Sequence, residues 1–101
     1  MKRLVVARRA ASDLDQIWVR FAQEAGIEIA DAYLDSLEVR FRALANMPGI
    51  GRLRDDFGAG TMSFQAEGYM IYYTRRARGG VRISRVIHGS RDQRAAFHEP
   101  E

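Results

Sequence analysis

Apolar side chains recur at helical spacing through the first half of the chain, then alternate or run together through the second half. Ala10, Leu14, Ile17, Trp18, Phe21 and Ala25 fall at offsets of 0, +4, +7, +8, +11 and +15. That spacing draws one stripe along a helix predicted from Arg9 to Ala25. Ala30, Tyr33, Leu34, Leu37, Phe41, Leu44 and Ala45 draw a second stripe, on a helix from Ile27 to Asn46 with Glu28 and Asp31 near its electropositive end. Only Gly26 separates the two, so they are expected to fold back on each other as a hairpin. Ahead of them Lys2 to Ala7, rich in Val and Leu, reads as a strand. Met47-Pro48-Gly49 stops the second helix, because proline cannot continue it and glycine accepts the turn.

Pro48 to Gly60 reads as a loop holding four glycines, and the remainder reads as β. Thr61 to Phe64 is a short strand and Gln65 to Gly68 a turn. Tyr69 to Thr74 is a strand apolar on both faces, as in the middle of a covered sheet. Arg75 to Gly80 makes the next turn, with Gly79-Gly80 supplying positive φ. In the last strand, Val81 to His88, simple alternation points Val81, Ile83 and Ile87 one way and Arg82, Ser84, Val86 and His88 the other. Arg85 then shares the apolar face, where a guanidinium needs a partner or an exit to solvent. Gln93 to Phe97 forms a short amphipathic piece. The order β-α-α-β-β-β predicts an α+β two-layer domain, with a helical hairpin packed on an antiparallel sheet.

The length of 101 residues fits one domain spanning residues 1–101. Cysteine is absent, which removes disulfides, thiolate metal sites and a thiol nucleophile. Only four consecutive apolar residues, Leu4 to Ala7, precede Arg8-Arg9, too few for a signal-peptide core or a membrane span, so a cytoplasmic chain with no membrane partner is expected. The net charge is +3, and fifteen of the sixteen basic residues are arginine. Residues 1–50 balance at seven basic and seven acidic, whereas Arg75, Arg76, Arg78, Arg82, Arg85, Arg91 and Arg94 stand against Asp92 alone. Arginines beside strands also keep sheet edges soluble. An excess of this size nonetheless predicts a basic face that attracts nucleic acid or an acidic protein.

Four strings then carry a family resemblance. They are Ala11-Ser12-Asp13-Leu14-Asp15-Gln16-Ile17-Trp18 in the first helix, Met47-Pro48-Gly49-Ile50-Gly51-Arg52 after the second, Tyr69-Met70-Ile71-Tyr72-Tyr73 in the middle strand, and Val81 through Asp92. In their order and spacing the chain resembles the ParE/RelE toxins of type II toxin-antitoxin systems, and its last string is more similar to the ParE branch. The resemblance implies a protein that binds DNA gyrase and blocks its DNA-breaking cycle, neutralised by a cognate antitoxin whose C-terminal segment wraps it. It implies contact with DNA only indirectly, through antitoxin or gyrase. The RelE branch cuts messenger RNA in the ribosome instead, and a nontoxic nucleic-acid or protein adaptor on the same fold is a third reading.

Metal-free phosphodiester cleavage needs a base, a proton donor and cations on the phosphate. Arg85, His88 and Arg91 are the candidates, with Tyr72 or Tyr73 able to donate a proton or stack on a base. RelE-like nucleases carry basic residues around the second helix and the following loop, and an aromatic beyond the last strand. This loop offers Arg52 and Arg54 without lysine, and Gly89-Ser90 follow the strand. No catalytic residue is therefore expected, and with two histidines and no suitably spaced carboxylate neither a metal nor a cofactor is expected. His88 can instead fasten its turn to Asp92, and Arg91 can clasp Asp92. Target binding is assigned to Arg75, Arg76, Arg82, Arg85, His88, Arg91 and Arg94. Trp18, Phe21, Tyr33, Leu37 and Phe41 are the candidates for antitoxin binding.

Overall fold

The computed structural model describes residues 3–100; Lys2, the predicted start of the first strand, lies outside the described residues. The chain runs β1 (Leu4–Val6), α1 (Arg8–Ala25), α2 (Ile27–Asn46), a 3-10 turn (Pro48–Ile50), β2 (Arg52–Leu53), a second 3-10 turn (Asp55–Phe57), β3 (Thr61–Ala66), β4 (Tyr69–Arg75), β5 (Val81–His88) and α3 (Gln93–His98). Gly26, at φ 97°, both ends α1 and begins α2. Its N–H donates to Ala22 O, and its own carbonyl accepts from Ala30 N–H. One left-handed residue thus closes the hairpin, as its position in the sequence implied.

The strands form one sheet in the order β1-β5-β4-β3-β2, and the helical hairpin packs on one face, giving the expected α+β architecture. Two details differ. The sheet is mixed, because β1 runs parallel to β5 while the other neighbours are antiparallel. Two helices lie between β1 and the later strands, so no short turn forces β1 to reverse. β2 lies inside the predicted loop and is only two residues long, pairing Arg52 with Ser63 and Leu53 with Met62, too short to leave an alternation in the sequence.

Between hairpin and sheet, Ala10, Ile17, Leu37, Phe41 and Leu44 meet Met62, Ile71, Tyr73, Val81, Ile83 and Val86. A smaller core on the other face joins Phe57, Tyr72, Ile87 and Ala96. α3 and the second 3-10 turn therefore add a partial third layer, which is why β4 is apolar on both sides. The distribution along β5 departs from simple alternation. Tyr72 pairs with Arg85 and Tyr73 with Ile83, leaving Ser84 unpaired in a bulge. An extra residue inverts the side-chain alternation beyond it. Val86 consequently joins Val81 and Ile83 under the helices, while Ile87 faces the smaller core.

The turn between β4 and β5 is held by two backbone bonds, Arg76 N–H to Gly80 O and Gly79 N–H to Arg76 O, each at 3.0 Å. Gly80 sits at φ 83°, and a Cβ there would lie 1.8 Å from Arg3 O. Only glycine lets the turn close against the residue preceding β1. This contact fixes Arg3 beside the arginines of the turn.

Candidate functional site

The basic residues of the C-terminal third do not make one face. They occupy the two ends of β5, roughly 20 Å apart at strand rise, and one of them is buried.

At the C-terminal end, β1 stops opposite Ile83, so from Ser84 onward β5 has no strand on its β1 side. Asp13 of α1 takes that place. Its Oδ2 accepts from Val86 N–H at 2.9 Å and from Arg85 Nε at 2.8 Å, and Oδ1 accepts from Arg85 Nη2 at 3.1 Å. Arg85 Nη1 donates to Ala96 O at 2.6 Å and to Phe97 O at 3.3 Å, at the C-terminal end of α3. With every guanidinium nitrogen engaged and 4% of the residue exposed, Arg85 ties α1, β5 and α3 together. It does not join the exposed basic residues.

His88 Nδ1 lies 2.6 Å from Ser90 Oγ and accepts from Ser90 N–H at 3.1 Å, so its turn is fastened to Ser90 and not to Asp92. Asp92 instead caps α3 by accepting from Ala95 N–H. Arg91 pairs with Glu99 at 3.2 Å, which replaces the expected clasp to Asp92. Arg94 pairs with Asp56 at 3.0 Å, and Arg54 takes the same carboxylate, with both guanidiniums over the Phe57 ring. The Arg54 contact holds the Asp56 carboxyl below the usual carboxylate range. His88 and Arg91 share an open hollow of about 220 Å³ with Arg20 and Tyr69. Arg85 does not line it, so the three nuclease candidates do not converge. Tyr72 hydrogen-bonds Gln93 and Tyr73 hydrogen-bonds Pro48 O, both away from that hollow. Among the described residues no three His, Cys, Asp or Glu side chains gather closely enough to hold a metal ion.

At the N-terminal end of β5, Arg75, Arg76, Arg78 and Arg82 join Arg3 around a second hollow, of about 420 Å³. Arg3 has no signal in the sequence that would have placed it there. It arrives because β1 lies beside β5 and Gly80 lets the chains approach.

The five hairpin residues proposed for partner binding also divide. Leu37 and Phe41 are core, at 0% and 2% exposure. Phe21 and Tyr33 are half-buried and stack at 4.2 Å, with the Tyr33 hydroxyl donating to Glu67 O. Burial, with Tyr69 and Glu67 nearby, pushes the Tyr33 hydroxyl up to about 12. Trp18 is half-buried, its Nε1 donating to Asp31 Oδ1 at 2.8 Å. An apolar groove of about 320 Å³ runs between β1 and the hairpin, lined by Leu4, Val6, Leu14, Leu34 and Phe41 with Asp35 and Glu38. Of the five candidates only Phe41 reaches it. Leu14 and Leu34 were visible as stripe positions, but the groove depends on where β1 docks, which periodicity does not report. β1 is the terminal strand of the sheet, so its outer edge has no strand partner.

Residues 4–93 match the model of the family described as the ParE toxin of the type II toxin-antitoxin system, parDE. The chain belongs to the ParE toxin family. This ParE-family chain is 34% identical over 97 residues to Toxin ParE1 of Caulobacter vibrioides, covering 94% of its own length and 97% of that protein. It is 28% identical over 89 residues to Toxin ParE3 of the same organism, covering 88% of each. Toxin ParE1 of Mycobacterium tuberculosis is 27% identical over 90 residues, covering 89% of this chain and 92% of that one. Among solved structures, one titled as the chromosomal ParDE TA system from P. aeruginosa superposes with a TM-score of 0.73 at 21% identity. It covers 87% of this chain and 96% of that one, and it supports the fold. Among the described residues no helix is long and apolar enough to cross a membrane.

Proposed function

We propose that this ParE-family toxin inhibits DNA gyrase by binding it, and that a cognate antitoxin neutralises it by seating along the β1 edge and the adjoining apolar groove. Membership of the ParE family across residues 4–93 carries the gyrase assignment. The dispersal of Arg85, His88 and Arg91 favours binding over cleavage, since general acid-base work requires its groups within reach of one phosphate. The target surface comprises the solvent-facing members of the predicted set: exposed Arg75 and Arg82 with half-buried Arg76 at one end of β5, and exposed Arg91 and Arg94 beside half-buried His88 at the other. For the antitoxin, an unpaired strand edge next to an apolar groove suits strand addition with side chains seated between β1 and α2.

Purified chain added to gyrase and relaxed plasmid should block supercoiling or trap cleaved DNA, and the antitoxin should reverse it. Unaltered supercoiling, together with messenger RNA cut in a translating extract, would overturn the proposal in favour of a nuclease. Val6→Glu should abolish rescue by antitoxin while leaving gyrase inhibition in place, because Val6 is exposed on the β1 edge.

A further inference from the structure

The fifteen arginines divide sharply by their partners. Eight make ion pairs with carboxylates. Of the seven that make none among the described residues, five are Arg3, Arg75, Arg76, Arg78 and Arg82, and all five line the hollow at the β4–β5 turn. Their guanidiniums also form no side-chain hydrogen bond to any described residue, whereas Arg85, Arg91 and Arg94 all do. No acidic side chain lines the hollow; its remaining wall is Thr74, Ala77 and Gly79.

Five like charges gathered without a counter-charge repel one another and raise the energy of the folded chain. The arrangement is also fixed. Arg3 is held to the turn by Val81 N–H donating to Arg3 O and by the close approach at Gly80. Arg75 alternates with buried Tyr73 towards the helix side, and Arg82 lies between buried Val81 and Ile83 and faces the other way. Guanidinium groups therefore flank the turn on both sides, around a space free of large side chains.

We propose that this hollow binds the phosphodiester backbone of a nucleic acid directly. Planar guanidinium forks pair with phosphate oxygens in bidentate fashion, and the Thr74 hydroxyl adds a further donor. An acidic protein segment presents the same charge, but protein interfaces are anchored by aromatic, Met or other large apolar side chains. The hollow offers none: its carbon surface is Thr74, Ala77, Gly79 and the arginine stems. Backbone phosphates need no such anchor, and the hollow has no base-reading pocket, so the binding is independent of sequence. It also needs no gyrase, so its failure and the failure of gyrase inhibition are separately readable. Direct contact departs from the expectation that DNA is met only through antitoxin or gyrase.

The test is fluorescence anisotropy of the purified chain with short labelled duplex DNA, duplex RNA and single-stranded DNA, which identifies the source of the phosphates. Affinity for at least one should fall on the order of a hundred-fold between 50 and 200 mM salt, as about four phosphate contacts imply. The triple variant Arg76→Gln, Arg78→Gln, Arg82→Gln should weaken binding about ten-fold or more and flatten the salt slope. A control, Arg20→Gln, Arg40→Gln, Arg42→Gln, removes the same charge from the helices and should bind almost as wild type. Circular dichroism melts of both variants keep a folding defect from imitating lost binding. Equal loss in the two triple variants would reduce the effect to net charge and overturn the site. Binding to a polyglutamate peptide with no binding to any nucleic acid would overturn it in favour of an acidic protein.

Discussion

β5 has arginines at both of its ends, and the two ends are chemically unlike. Towards His88, the three arginines Arg85, Arg91 and Arg94 are held by Asp13, Glu99 and Asp56 respectively. At the Val81 end Arg75, Arg76, Arg78, Arg82 and Arg3 have no carboxylate partner among the described residues. The difference lies in which elements reach each end. α1, the second 3-10 turn and the segment after α3 bring acids over one end, and no acidic element covers the other. Charge at the first end is balanced by carboxylates of the molecule itself, and charge at the second has no such counter-charge. A run of arginines in a sequence therefore reports supply, while the fold decides which of them are free.

The largest expected effect breaks the paired end. Asp13→Ala leaves the Arg85 guanidinium buried without its anion and Val86 N–H without an acceptor, and should cost about 3–5 kcal/mol in urea unfolding. Replacing both partners, Asp13→Leu with Arg85→Met, should recover much of that loss, because an unpaired buried charge costs more than an apolar pair. A loss below about 1 kcal/mol for Asp13→Ala would mean the two ends do not differ as described.

Next comes the geometry of the free end. Gly80→Ala places a methyl group against Arg3 O and demands a left-handed backbone of alanine. It should cost about 2–3 kcal/mol and also weaken nucleic-acid binding, since Arg3 can no longer sit beside the turn. The glutamine triple variant at the same turn should leave stability within about 0.5 kcal/mol of wild type. Loss of affinity in both variants, with loss of stability in the first alone, would separate the frame from the ligand contacts.

Much of the frame was legible before any coordinates. Both helices, the Gly26 hinge and the three late strands follow from spacing alone, because burial of one stripe or one face dictates period. Three features did not follow. Ser84 carries no mark of a bulge, yet it exchanges Val86 and Ile87 between faces. β2 is too short to show a pattern. The pairing of Asp13 with Arg85 spans 72 positions and arises only because β1 ends early and exposes one edge of β5. The candidate site suffered most, since Arg3, Asp13 and Asp56, which distinguish the two ends, lie far in sequence from the arginines they adjoin.

A smaller effect uses alkali to ask whether the free end depends on the fold behind it. Burial raises all four tyrosines above their ordinary value, Tyr33 to about 12. A folded chain that holds protons the unfolded chain releases is fully stabilised below pH 10 and loses that stability as pH rises towards 12. Tyrosinate absorbance and circular dichroism should therefore change together in that window. Arginines stay charged there, so affinity for an oligodeoxyadenosine strand, whose bases do not titrate in that window, should persist until the fold fails and then fall with it.

The smallest effect tests the exposed members of the paired end. Arg94 shares Asp56 with Arg54, so Arg94→Gln leaves the carboxylate one partner and should barely change stability. The depressed Asp56 carboxyl adds stability above its ordinary range that is lost only as pH falls below it. Arg94→Gln should weaken that acid resistance slightly and leave nucleic-acid affinity unchanged. Were Arg94→Gln to cost as much affinity as a glutamine at the β4–β5 turn, an arginine already neutralised by Asp56 would be acting as a free one. The distinction between the two ends of β5 would then collapse into net charge.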